Sequence, residues 1–173
     1  MNRARVIIVM GVAGCGKSTI GELLAARNRG SFHDADDFHP PANIAKMAAG
    51  VPLDDSDRAP WLKRLREDVV DAAPASGLAV LACSALKKIY REQLGVGTSG
   101  VALVYLKGDA ITLATRLAAR PNHYMKAGML ESQLAILQEP SPAEGVTVGI
   151  DSSVKEIVAA IEMALDLHPR FSV

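Results

Sequence analysis

Short apolar runs alternate along the chain with longer stretches whose apolar residues recur every three to four positions. Val6-Ile7-Ile8-Val9-Met10, Leu78 to Cys83, Val101 to Leu106 and Val146 to Ile150 are continuous apolar or β-branched runs bounded by glycine or polar residues. Such runs predict buried parallel strands. Ser31-Phe32-His33 is a weaker strand that stops at an acidic cluster. Helical spacing marks Ser18 to Arg29, Trp61 to Ala73, Leu86 to Leu94, Ile111 to Ala119 and Gly128 to Gln138. Pro41 to Ala49 is a short helix with proline at its start and Gly50 just past its end. Val154, Ile157, Val158, Ile161 and Leu165 form the apolar stripe of a closing helix. Strands alternating with helices predict an α/β fold with a mainly parallel sheet. Gly95 to Gly100 reads as a surface turn, so residues 1–173 form one domain.

Composition narrows the class. The 173 residues carry 19 Lys and Arg against 19 Asp and Glu, which argues against a strongly basic nucleic-acid binder. Aromatic residues are 4%, too sparse for a base-stacking platform. Two cysteines, Cys15 and Cys83, give neither a disulfide framework nor a metal-ligand spacing. No apolar stretch approaches the ~20 residues of a membrane span. These features predict a protein of a reducing cytoplasm with no membrane partner.

Gly11-Val12-Ala13-Gly14-Cys15-Gly16-Lys17-Ser18 fits Gly-x4-Gly-Lys-Ser/Thr, between a strand and a helix. Glycines let successive N–H groups curl around phosphates, and the helix N-terminus adds partial positive charge. Lys17 reaches the β- and γ-phosphates, Ser18 is a Mg²⁺ ligand, and Thr19 lies near the α-phosphate. Neither an Asp-x-x-Gly switch nor an Asn-Lys-x-Asp guanine-reading motif occurs. A small-molecule kinase is therefore the leading class.

His33-Asp34-Ala35-Asp36-Asp37-Phe38-His39 follows the second strand, on the edge where parallel sheets bind ligands. Asp34 and Asp36, two apart in an extended segment, would point the same way, with Asp37 turned away. His39 before Pro40-Pro41 either shapes the turn or serves the site.

Several blocks then resemble one family. They are Asp34 to Pro40, Asn43 to Met47, Gly50 to Leu62, Cys83 to Arg91, Tyr105 to Asp109, Arg116 to Arg120 leading to His123-Tyr124, and Gln138-Glu139-Pro140. Their order and spacing resemble the bacterial gluconokinases over nearly the whole chain. The resemblance implies transfer of the ATP γ-phosphate to the 6-hydroxyl of D-gluconate, with Mg²⁺. It implies the shikimate and nucleoside monophosphate kinase fold, with five parallel strands, a substrate-binding helical segment near 38–74 and a mobile lid near 116–128. It also implies a homodimer. Two departures stand out: Ala35 where the family usually has glycine, and Lys126 where many members have proline.

A sugar acid needs a cation for its carboxylate and partners for its hydroxyls. Arg58 is the leading cation, in contact with substrate or paired with Asp54, Asp55 or Asp57. Ser84 and Lys87 follow the third strand. Lys87 holds substrate or merely opens a solvated helix. Asp36 is the acceptor or base for the sugar hydroxyl and Asp34 the Mg²⁺-water contact, roles that can be exchanged. Arg116, Arg120 and His123 lie in a segment without acids from 116 to 126, fit to neutralise the transferring phosphoryl group. Asp151-Ser152-Ser153 neighbours the adenine or caps the last helix. Two alternatives stand beside this reading. One is a shikimate- or nucleotide-type kinase, and the other is a non-catalytic nucleotide sensor.

Overall fold

The structure, a computed structural model, describes residues 4–119 and 127–167. Five parallel strands form one sheet: β1 (Val6–Met10), β2 (Ser31–Asp34), β3 (Ala79–Ala82), β4 (Val101–Lys107) and β5 (Val146–Gly149). Their order is β2-β3-β1-β4-β5, which puts β1 at the centre. All five residues of β1 are buried. That is why its sequence is a continuous apolar run rather than an alternating one.

Alternate residues of β1 feed two cores. Ile7 and Val9 pack with the helices α1 (Lys17–Arg27) and α7 (Val154–Ala164), through residues such as Ile20, Leu24, Ile157 and Ile161. Val6, Ile8 and Met10 pack on the other face against Trp61, Leu62, Leu65 and Tyr90. Both faces are covered, as a parallel sheet requires. The chain leaves β1 between its two neighbours β3 and β4. This is the switch point of the strand order, where α/β sheets open a ligand crevice.

The other helices are α2 (Pro41–Ala48), α3 (Asp55–Leu65), α4 (Lys88–Gln93), α5 (Ala110–Ala118) and α6 (Ala127–Ile136). Most ends agree with the apolar periodicity to within one or two residues. The exception is α3. It starts at Asp55, six residues before the expected Trp61, and gives way to a π-helical stretch over Arg66–Asp71. The start is set by a capping box: the Asp54 side chain accepts from the Asp57 N–H, and the Asp57 side chain accepts from the Asp54 N–H. Acids in the first turn also suit the helix dipole. The segment Asp54 to Asp57 is therefore a helix start, and Pro60 lies inside the helix.

The segment after β2 is also corrected. Ala35–Phe38 is a 3₁₀ turn, not an extended run. Asp34 caps it by accepting from the Asp36 N–H at 3.1 Å. Ala35 is absent from the residues with positive φ, so its methyl group costs no backbone strain. It is fully buried against the second core.

Candidate active site

The phosphate loop runs from the end of β1 into α1. At two of its glycines the neighbours leave no room for a side chain. A Cβ at Gly11, whose φ is 150°, would come within 2.6 Å of Cys15 Sγ and 2.9 Å of the Leu106 carbonyl. At Gly14, with φ 86°, it would meet Leu117 at 2.9 Å and the Leu113 carbonyl at 3.0 Å. The loop is thus pressed between β4 and α5. Val12, Ala13 and Cys15 are buried and Lys17, Ser18 and Thr19 point outward to different degrees. Burial pushes the Cys15 thiol up, so it is a packing residue.

Ser18 Oγ donates to Asp34 Oδ2 at 2.8 Å, joining the loop to the end of β2. Lys17 Nζ rests on the Val12 carbonyl at 3.2 Å. The Ala13 N–H donates to Gln133 Oε1 at 2.6 Å, from α6. Arg116, in the last turn of α5, donates to the Ile150 carbonyl at 2.7 Å just beyond β5. Next to it, Ser153 caps α7 through a capping box with Glu156. Arg120 and His123, and the departure at Lys126, lie outside the described residues.

Asp36 projects from the 3₁₀ turn. Desolvation in the cleft, and then the Asp34 charge, push its carboxyl above the usual carboxylate range. Its side chain is nevertheless 88% exposed, so solvent limits the size of that push. The sequence left His39 either shaping the turn or serving the site, and the structure places it in the wall behind Asp36. Its ring is buried and stacked on Trp61, with centroids 4.3 Å apart and planes at 12°. Asn43 Nδ2 donates to the Asp57 carbonyl at 2.9 Å, which identifies it as the amide nitrogen. The same nitrogen faces His39 Nδ1 at 3.3 Å, so Nδ1 accepts and Nε2 carries the proton. That Nε2 lies 3.9 Å from Asp36 Oδ1. His39 therefore reaches the cleft through Asp36. Trp61 completes this wall by donating from Nε1 to the Ala35 carbonyl at 2.8 Å.

A second cluster joins α3 to the start of α4. Lys87 Nζ contacts both oxygens of Asp55, at 2.8 and 2.9 Å. The Tyr90 hydroxyl donates to the same carboxylate. Arg58 Nη1 lies 3.9 Å from Asp55 and donates to the Tyr90 hydroxyl at 3.4 Å. The Lys87 hydrogen bond, and then the Tyr90 one, hold the Asp55 carboxyl below its usual range. Burial pushes the Tyr90 phenol up, so it stays a donor. Arg58 and Lys87 are thus brought together by one acid. This is also the compensation for a lysine standing at a helix N-terminus, where the dipole disfavours it.

Tyr90 and Gln133 were not singled out from the sequence, and Asp55 was named there only as one of three possible partners of Arg58. Tyr90 lies three residues from Lys87 and Asp55 three from Arg58, spacings that share a helix face once the helix bounds are known. Gln133 has no such local sign, because its partner is 120 residues away.

The ionic groups suit a hard cation held together with polyphosphate. Ser18 and Asp34 offer adjacent oxygens, the donor set Mg²⁺ uses when phosphates and water complete its octahedron. Among the described residues no group of three or more His, Cys, Asp or Glu could cage a metal alone.

Comparison with known proteins agrees with this geometry. The shikimate kinase family model matches residues 13–162. A probable gluconokinase of Mus musculus is 42% identical, over 95% of this chain and 100% of its own. The thermoresistant gluconokinase of Escherichia coli is 40% identical, over 90% of each chain. The crystal structure of a gluconokinase from Sinorhizobium meliloti superposes with a TM-score of 0.82 at 38% identity, covering 93% of this chain and 91% of that one. With a complete phosphate loop at the switch point of a five-stranded parallel sheet, the chain belongs to the gluconokinase family of P-loop kinases.

Proposed function

We propose that the protein transfers the γ-phosphate of ATP to the 6-hydroxyl of D-gluconate, giving 6-phosphogluconate and ADP. The observation that carries this reading is the pairing of two unlike sites on one sheet edge. One is the loop with its Ser18–Asp34 pair. The other is the Arg58–Lys87–Tyr90–Asp55 cluster. A polyanion fits the first and a polyhydroxy carboxylate fits the second.

Apart from the Ala13 N–H, which Gln133 takes, the loop N–H groups from Gly11 to Thr19 and the α1 N-terminus bind the triphosphate. Lys17 holds its β- and γ-oxygens. Ser18 and Asp34 would hold Mg²⁺, which when bound neutralises the phosphate oxygens. Arg58 and Lys87 take the substrate carboxylate, and Asp55 keeps both cations in place while offering lone pairs to hydroxyls. Asp36 accepts the proton of the attacking hydroxyl, and its raised pKa suits that task. His39 orients Asp36. Arg116, Arg120 and His123 add positive charge beside the transferring group. The loose transition state makes positioning more important than strong basicity.

The same reading takes residues 1–173 as one domain, with a substrate segment near 38–74 and a lid near 116–128, acting as a cytoplasmic homodimer. Two buried free thiols support a reducing compartment, and no described helix is long and apolar enough to cross a membrane.

A coupled ADP-release assay with gluconate, shikimate and nucleoside monophosphates tests the substrate. Turnover confined to gluconate is expected, nearly abolished in Lys17→Ala. Robust turnover of another acceptor without gluconate turnover overturns the reading. Nucleotide binding without any turnover favours the sensor instead.

A further inference from the structure

One peptide unit of the phosphate loop is held from both ends. The Val12 carbonyl takes the Lys17 ammonium at 3.2 Å, and the N–H of the same peptide, on Ala13, donates to Gln133 Oε1 at 2.6 Å. No peptide bond is cis among the described residues, so this C=O and N–H point in opposite directions. Lys17 and Gln133 therefore sit on opposite sides of the peptide. Gln133 approaches from behind the wall on which the lysine rests, and Lys17 needs no rearrangement of Gln133 to face phosphate.

The placement of Gln133 on α6 is itself informative. Leu130 is buried in the core cluster that contains Val12, Cys15 and Leu113, and Leu134 and Leu137 pack against it. Gln133 lies three residues after Leu130, on the same helical face. A polar side chain thus occupies an apolar stripe. Such a group is tolerated where it is satisfied, and here the Ala13 N–H satisfies it. Hydrogen bonds in series polarise one another, so an acceptor on the N–H strengthens the carbonyl as the seat of the lysine.

We propose that Gln133 is a positioning residue for the phosphate-binding lysine, acting through the Val12–Ala13 peptide. It fixes the direction of the Val12 carbonyl and, through it, the Lys17 ammonium. The proposal rests on nucleotide binding by the loop and not on the identity of the acceptor, so failure of gluconate turnover leaves it standing.

The test is a double-mutant cycle on binding of a fluorescent, non-hydrolysable ATP analogue. Its four proteins are the natural chain, Gln133→Leu, Lys17→Met and the double variant. Leucine keeps the size of the side chain and removes the acceptor. Gln133→Leu is expected to weaken the analogue about fivefold or more in the natural background, a coupling usual for groups in one network. Binding stoichiometry stays unchanged. In the Lys17→Met background the same substitution is expected to change affinity less than about twofold. Equal weakening in both backgrounds overturns the proposal, since Gln133 then acts on the loop alone. So does undiminished affinity in the single variant, or a loss that follows binding stoichiometry and thus reflects unfolded protein.

Discussion

Ser18 and Asp34 meet at 2.8 Å, hydroxyl to carboxylate, across the gap between the phosphate loop and the end of β2. The sequence puts them 16 residues apart; the sheet brings them together because β2 and β1 both end on this edge. Asp34→Ala removes the carboxylate from the pair. Turnover at saturating substrates is expected to fall about 10²-fold or more, the scale of losing an electrostatic stabiliser of phosphoryl transfer. The Mg²⁺ concentration needed for half-maximal rate should rise. Asp34 also caps the 3₁₀ turn, so a loss of about 1 kcal/mol in stability accompanies this. An unchanged Mg²⁺ dependence, measured by titrating Mg²⁺ at fixed ATP, contradicts the assignment.

Arg58 and Lys87 share Asp55, and the proposed carboxylate contact makes a separate prediction for each. Arg58→Ala and Lys87→Ala should each raise the gluconate KM about tenfold or more, the range of a hydrogen bond to a charged partner. The ATP KM should move less than about twofold. Arg58→Lys is expected to restore little, because a point charge does not replace a planar fork. Steady-state kinetics with each substrate varied in turn checks this. An effect confined to ATP removes Arg58 from the substrate site.

How much of this was legible in the sequence depends on distance along the chain. The phosphate loop and the strands were legible because their signals are contiguous: glycine spacing in one case, unbroken apolar runs in the other. The start of α3 was not, since Asp54, Asp55 and Asp57 read only as possible partners of Arg58 while two of them form a capping box. Asp34 and Asp36 were picked out as neighbours, yet through an extended geometry that the 3₁₀ turn replaces. His39 was hidden by a different effect. A histidine beside two prolines carries no mark of burial, and its stacking partner Trp61 lies on another helix. The Asp55–Lys87–Tyr90 cluster spans 32 and 35 residues, so only the assembled sheet reveals it.

His39 should make stability fall on mild acidification. Desolvation, offset in part by Asp36 and reinforced by Arg58, holds its pKa below the ordinary value. The folded ring is then neutral where the unfolded one begins to charge. Its contribution is fully present above the unfolded pKa of about 6.5 and is lost as pH falls toward the lower folded value. Thermal unfolding at pH 7.5 and 5.5 should show a drop in Tm that shrinks in His39→Asn. An equal drop in both proteins shows that other groups carry the pH dependence.

Arg91 is the buried tie on which the substrate cluster depends. Its side chain is 1% exposed and is held by Glu144 at 2.9 Å. It also donates to the carbonyls of Ala85, Leu86 and Gln138 at 3.3, 3.3 and 2.9 Å. It therefore fastens the loop between β3 and α4, which carries Lys87, to the chain ahead of β5. Ala85 in that loop has φ 44°, a left-handed conformation that a residue with a side chain adopts only when its surroundings enforce it. Arg91→Met leaves Glu144 without its cation and takes a donor from the Ala85 and Gln138 carbonyls, while the Leu86 carbonyl keeps the Gln138 N–H at 2.9 Å. The expected loss is about 3–5 kcal/mol, the cost of breaking a buried pair from one side. At this chain length that lowers Tm by roughly 10 °C. Adding Glu144→Leu should recover part of the loss, because the orphaned charge is then gone. Where the single variant still folds, gluconate KM should rise while ATP KM holds, since the loop that slackens carries Lys87. A Tm within about 2 °C of the natural protein would show that the loop is held elsewhere.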